Sequence, residues 1–275
     1  MELYVTDLDG TLLNSKKEVS RTSQELLNDL IDKGLEFTVA TARTPATVSD
    51  ILKEIDIRIP VILMNGVVTY DLHKNQYLDI NDMKKDDVLK VLEVLKEYNR
   101  SAFVYGIKDN KLYVYHKDFA YESEYNFYKE RCEKPLKKFV KVEEYEEFIE
   151  DSAIVNILIF DTLNNIENMY KSLEKIETMT CNYYEDIYEK GAYFLEIYSS
   201  EASKANAIKS LAHLRKYDKI ICFGDNINDI PMFRVADEGY AVGNAVGELK
   251  DISKAIIDSN NEDAVAKFIE KRFKR

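Results

Sequence analysis

The sequence predicts an α/β fold: a doubly wound parallel sheet interrupted by an inserted α+β domain. Three observations carry this. Over the first eighty residues, short apolar stretches alternate with segments of helical period. The middle of the chain loses that alternation and shows two adjacent tyrosine-rich stretches of period two. The strand-and-helix alternation then returns for the last seventy or so residues.

In chain order, Leu3–Thr6 reads as a short buried strand that runs into acids. Thr22 and Glu25 have the spacing of a capping box, and Leu26, Leu27, Leu30 and Ile31 give the helix an apolar face. Gly34 stands where a C-terminal glycine cap belongs. Leu35–Ala40 is the second strand, and Thr44-Pro45 opens a helix lined by Val48, Ile51, Leu52 and Ile55. Pro60–Leu63 is the third strand, Asn65-Gly66 a turn, and Val67–Tyr70 with Tyr77–Ile80 a hairpin. This β-α-β-α-β opening implies a parallel sheet with helices on both faces.

After the charged stretch Asp79–Asp87, Val88, Val91, Leu92 and Leu95 mark a helix. Ala102–Ile107 and Leu112–His116, separated by Lys108-Asp109-Asn110, read as an antiparallel pair. Further elements follow up to Tyr193–Tyr198, and Ser199–Ser203 is small and polar, as a linker should be. A helix over Lys204–Arg215, a strand Ile220–Phe223, short strands Tyr240–Val242 and Ala255–Ile257, and a helix Asp263–Lys271 complete the chain. The predicted organisation is a discontinuous α/β core, residues 1–81 and 199–275, with an inserted α+β domain at 82–198. A length of 275 residues suffices for two cores.

The net charge of −12 disfavours a nucleic-acid partner in the absence of a basic patch. The tail Lys271-Arg272-Phe273-Lys274-Arg275 reads as a solvated helix end. The longest apolar runs, such as Ile154–Phe160, are too short to span a bilayer, so no membrane partner is expected. The acidic N-terminus does not resemble a secretory signal, and Cys132, Cys181 and Cys222 form no CxxC pair. Reduced thiols and a cytoplasmic location are expected. An acidic chain that binds phosphate must supply local positive charge, by a metal ion or a placed lysine.

The chemistry is expected at the carboxyl ends of the strands, where open parallel sheets bind ligands. Asp7, Thr41, Asn65 and Asp225 fall at four such ends. In Gly224-Asp225-Asn226-Ile227-Asn228-Asp229 the two acids share one face if a helix starts there. Acids at that place also cap helices, and on spacing alone both readings stand. Two or three carboxylates suit Mg²⁺, a hard cation that takes oxygen ligands, and Asp7, Asp225 and Asp229 could form that set. Lys204 gains meaning only from its order among these motifs.

Asp7-Leu8-Asp9-Gly10-Thr11, Thr41, Lys204 and Gly224–Asp229, in that order, resemble the four motifs of the haloacid dehalogenase superfamily. The likeness is closest to its Cof-type phosphatases, which carry a large α/β cap after the third core strand. Ala40-Thr41-Ala42-Arg43, Asn65-Gly66 and Val242-Gly243-Asn244-Ala245 resemble that pattern too. Ala42, Ala205 and Ala264 stand where glycine is usual, and a methyl group at Ala42 would crowd an approaching phosphate.

The resemblance implies a magnesium-dependent phosphatase acting on a small phosphorylated metabolite. It makes Asp7 the nucleophile and Asp9 the general acid and base. Asp7, the Asp9 carbonyl, Asp225 and Asp229 would be the Mg²⁺ ligands. Leu8, Thr41, Ala42, Lys204 and Asn228 would line the phosphate, and the cap would close over the site and select the leaving group. Asp9 separates this chain from the superfamily's ATPases, which have threonine there, and from dehalogenases, which lack the acid and the metal. A phosphohexomutase or phosphotransferase shares these motifs, and a non-catalytic regulator on the same scaffold is the other alternative. No Gly-x-Gly-x-x-Gly follows the first strand, which sets aside a nicotinamide-dependent oxidoreductase. A signalling receiver, about half this length, carries its phosphorylated aspartate later than the first strand. Sugar phosphates, pyridoxal phosphate and flavin mononucleotide all fit as substrates, and monomer and homodimer are both compatible. Cap tyrosines such as Tyr113 and Tyr115 are candidate substrate contacts, although aromatic strand positions more often face a core.

Overall fold

The computed structural model describes residues 1–185 and 191–273. Strand β1 (Glu2–Thr6) is buried on both faces from Leu3 onward, as a central parallel strand must be. A wide turn, Leu8–Leu12, leads from it to helix α1 (Arg21–Asp32). Ser20, not Thr22, caps that helix: its Oγ accepts from the Ser23 N–H at 3.0 Å. Thr22 is already inside the first turn, and Glu25 pairs with Arg21 instead. Gly34, at φ +96°, ends the helix as expected.

Strand β2 (Glu36–Val39), helix α2 (Pro45–Ile51) and strands β3 (Val61–Leu63), β4 (Val68–Asp71) and β5 (Gln76–Ile80) follow. The sequence placed β3 in the parallel sheet. The structure joins it there by one parallel bridge, Ala40 to Ile62, and otherwise pairs it antiparallel with β4. Only three residues are extended before Met64 and Asn65 turn to positive φ, which leaves no length for a longer parallel ladder.

The insert begins with helix α3 (Lys85–Glu97) and the hairpin β6 (Phe103–Lys108) and β7 (Lys111–His116). Asp109 and Asn110 both adopt the left-handed backbone that a two-residue hairpin turn needs. Helix α4 (Glu122–Lys129), strand β8 (Lys137–Lys141), the short helix α5 (Glu146–Ile149), strand β9 (Ala153–Thr162), helix α6 (Leu163–Leu173) and strands β10 (Met179–Glu185) and β11 (Ala192–Ser199) complete it. They form a mixed sheet in the order β10-β11-β9-β6-β7-β8, antiparallel except for β7 and β8. One face of this sheet and residues of α3 and α6 enclose the insert's core. Tyr115 is buried in that core and Tyr113 packs against it, so both serve as core residues.

The chain then returns with helix α7 (Lys204–Arg215), strand β12 (Lys219–Gly224), helix α8 (Ile230–Val235), strand β13 (Glu238–Ala241), helix α9 (Gly247–Ile252), strand β14 (Ala255–Ile256) and helix α10 (Ala264–Phe273). The core sheet is parallel throughout, in the order β14-β13-β12-β1-β2. Two compact units result: Met1–Asp79 with Ser203–Arg275, and Ile80–Ala202.

At the amino ends of the core strands, Glu238 sits beneath Lys219 at 2.7 Å and Lys254 at 2.6 Å, and it also bonds Arg272. Arg272 of the basic tail is therefore an ion-pair partner rather than a free helix end. Among the described residues, no helix is long and apolar enough to cross a membrane, and all three cysteines are free.

Candidate active site

Strand order reverses at β1, which has an early strand, β2, on one side and a late strand, β12, on the other. Such a switch point opens a crevice beyond the carboxyl ends. Asp7 leaves β1 there, tied by its N–H to the Phe223 carbonyl at 2.9 Å, and its side chain is buried. Thr41 stands one residue past a bond from the Ala40 N–H to the Thr6 carbonyl, and it is buried as well.

Lys204 is the first residue of α7, whose N-cap is Ser203. Its ammonium donates to Asp7 Oδ1 at 2.5 Å and to Asp229 Oδ1 at 2.7 Å. All three side chains are almost wholly buried. An ammonium has three N–H donors, so one is left beyond these two bonds.

Asp225 and Asp229 do come together, but not as neighbours on an α-helical face. The chain makes a single tight turn at Ile227–Asp229. Asp229 folds back so that its Oδ2 accepts from the N–H groups of Asp225 and Asn226, at 3.0 and 3.2 Å. Asp229 thus caps a turn and also presents its other oxygen to Lys204. Asp225 accepts from Thr11 Oγ1 at 3.0 Å. Its carboxylate lies where a Cβ on Gly10 would be, and Gly10 has φ +77°. Asn244 fixes that turn through the Gly10 carbonyl at 2.8 Å.

Oxygens of Asp7, Asp225 and Asp229 all lie within 4.8 Å of one another. Burial raises the Asp7 carboxyl, Lys204 opposes that, and the neighbouring acids Asp229 and Asp225 push it further up. Asp225 is pushed up to about 6, first by burial, with the Thr11 bond pulling the other way and Asp229 adding to the rise. Burial would discharge Lys204, but Asp7 and Asp229 more than reverse that and hold it as a cation. Three crowded acids facing one ammonium leave an excess of negative charge. Their all-oxygen donor set fits a hard divalent cation, and these three residues could hold one.

The remaining expected residues are placed differently. The Leu8 side chain is fully buried, so only its main chain is offered to a ligand. Ala42 and Asn228 are exposed. Asp9 is half-exposed and is gripped by Arg43, whose Nε and Nη2 donate to its two oxygens at 2.6 and 2.5 Å. Sequence reasoning noticed Arg43 only as part of a motif. A long-range fork between two charged side chains has no local signature, although the motif's position beside Thr41 was the available clue.

The model of one protein family, described as haloacid dehalogenase-like hydrolase, matches residues 4–269. Phosphatase YwpJ of Bacillus subtilis (strain 168) is 29% identical over 97% of this chain and 98% of its own. The 5-amino-6-(5-phospho-D-ribitylamino)uracil phosphatase YwtE of the same organism is 26% identical, over 98% and 97% respectively. The crystal structure of TM0651 from Thermotoga maritima superimposes with a TM-score of 0.79 at 22% identity, covering 98% of this chain and 96% of that one.

Proposed function

The chain belongs to the haloacid dehalogenase-like hydrolase family and is a phosphatase acting on small phosphate esters, and from that premise we propose a Mg²⁺-dependent mechanism through an aspartyl phosphate on Asp7. The observation that carries this reading is the buried Asp7 carboxylate with the Lys204 ammonium at 2.5 Å and two further acids beside it.

Asp7 attacks phosphorus as the bond to the ester oxygen breaks. The leaving alkoxide takes a proton from Asp9. A water then attacks the same phosphorus, Asp9 takes that water's proton, and release of phosphate restores the Asp7 carboxylate. Asp9 suits this part because it is half-exposed while Asp7 is buried. Asp9 must first leave the Arg43 fork as a neutral acid, and the incoming phosphoryl group offers Arg43 a replacement anion. Lys204, through its third N–H, with Thr41 and Asn228, would hold phosphoryl oxygens. Asp7, Asp225, Asp229 and the Asp9 carbonyl would hold Mg²⁺, which when bound offsets the repulsion between the carboxylate and phosphate and stabilises the transferring group. The unit built on Met1–Asp79 and Ser203–Arg275 is the catalytic core in this reading, and the insert chooses among esters.

The experiment is hydrolysis of p-nitrophenyl phosphate with Mg²⁺, with EDTA, and by Asp7→Asn. Activity that needs the metal and disappears in the variant is expected. Turnover that survives Asp7→Asn would sink the aspartyl-phosphate assignment.

A further inference from the structure

One buried polar atom beside this site has no part in the mechanism above. Met64 and Asn65, which end β3, both hold left-handed backbone, at φ 53° and 57°. Asparagine tolerates that region and methionine rarely adopts it. The turn is pinned: the Met64 N–H donates to the Arg43 carbonyl at 3.1 Å and the Asn65 N–H to the Thr41 carbonyl at 2.9 Å. On its other side Gly66 lies so close to the Ser203 main chain that a Cβ would have no room. Asn65 is therefore held between Thr41 and the start of α7, where Lys204 begins.

Among the described residues, Asn65 Oδ1 is buried without a hydrogen-bond partner. Native proteins seldom keep such an atom unless something else supplies the donor. A phosphoryl group cannot, because its ionised oxygens only accept, and Thr41 and Lys204 already offer it donors. The alcohol portion of an ester can supply the donor that the phosphoryl group lacks. We propose that the Asn65 carboxamide oxygen accepts a hydrogen bond from a hydroxyl on the substrate's alcohol portion, which makes Asn65 a specificity-determining residue contributed by the core itself. This rests on the phosphatase reading above.

A matched pair of esters tests it: 2-hydroxyethyl phosphate and ethyl phosphate, which differ by one hydroxyl, each assayed for kcat/KM with Mg²⁺. The wild-type protein should prefer the hydroxylated ester by about tenfold. Asn65→Gly removes the carboxamide but keeps the left-handed turn at no steric cost, so a purely conformational role would be preserved. That variant should lose most of the preference while its rate on ethyl phosphate stays within about twofold of wild type, and its melting temperature should not fall. Asn65→Asp keeps an acceptor in place and should keep the preference, while slowing both esters by repelling the phosphate. A preference unchanged in Asn65→Gly, or a parallel loss on both esters, would overturn the assignment. Equal wild-type rates on the two esters would overturn it while leaving the phosphatase reading intact. No wild-type turnover of either ester or of p-nitrophenyl phosphate would remove that reading, and this inference with it.

Discussion

Arg43 grips both carboxylate oxygens of Asp9, with Nε to Oδ2 at 2.6 Å and Nη2 to Oδ1 at 2.5 Å. A planar fork of this kind fixes the carboxylate's orientation as well as its charge. Arg43→Lys keeps the charge but cannot form the fork. It should lower kcat/KM on p-nitrophenyl phosphate by about tenfold to a hundredfold, because a lysine cannot exchange the Asp9 carboxylate for a phosphoryl group with the same two parallel bonds, and Arg43→Ala should do no less. Steady-state kinetics decides it: a wild-type rate in Arg43→Lys would mean that the fork has no part in exchanging Asp9 for the phosphoryl group.

Lys204 is the ammonium between Asp7 and Asp229, and both acids are buried with it. Lys204→Met should leave two unpaired acids and cost about 3 kcal/mol of folding stability, measured by urea unfolding with EDTA present. Adding Mg²⁺ should return part of that loss, because a cation then faces the same oxygens. A variant as stable as wild type without metal would contradict this account of the cluster.

Gly10 has φ +77° and lies against the Asp225 carboxylate. Gly10→Ala should therefore displace Asp225 and raise the Mg²⁺ concentration needed for half-maximal activity by about tenfold, equivalent to about 1.4 kcal/mol of lost binding. In the wild-type protein, Mg²⁺ at a hundred times its dissociation constant should stabilise the fold by about 2.7 kcal/mol, read as a rise in melting temperature. That rise should shrink in Asp225→Asn. An undiminished rise there would move the metal away from this cluster.

Glu238 gives a pH dependence that does not involve the site. Burial alone would raise its carboxyl, but bonds from Lys219, Lys254, Tyr240 and Arg272 hold it well below the ordinary 4.5. A depressed acid adds stability above its unfolded pKa, and that stability is lost as pH falls through 4.5 toward the lower folded value. Glu238→Gln should cost about 1–3 kcal/mol at pH 7, and the deficit against wild type should narrow below pH 4.5. Urea unfolding at pH 7 and at pH 3.5 (about one unit below an unshifted glutamate) compares the two. A deficit of constant size would show that the charge is not what Glu238 contributes.

Much of the core was legible because its signals are local. The helix over Lys204–Arg215 was read with its observed ends, because Ser203 caps it and its apolar period is unbroken. Asp7 and Asp225 were found because each follows an apolar strand. What the sequence hid was mostly tertiary. Ser20 outcompeted Thr22 as a cap, and its hydroxyl is also engaged by Asp263, more than two hundred residues away. Asp229 reached Asp225 by turning back on its own loop, which spacing cannot distinguish from a helical face. The Arg43–Asp9 fork and the unpaired Asn65 oxygen depend on segments that meet only once the sheet is built.

The pairing of β1 with β12 joins Glu2 to Lys219 and Thr6 to Phe223. The strand that leads into Asp7 therefore emerges from the ribosome long before its neighbour exists. At ~5–20 residues per second, the two hundred or so intervening residues take on the order of 10–40 seconds to synthesise. During that interval an apolar strand has one edge open to unwanted partners. A growing chain stopped after the insert would carry Asp7 but neither Lys204 nor the two later acids. Its β1 would keep the edge that β12 later covers unpaired until that strand is made.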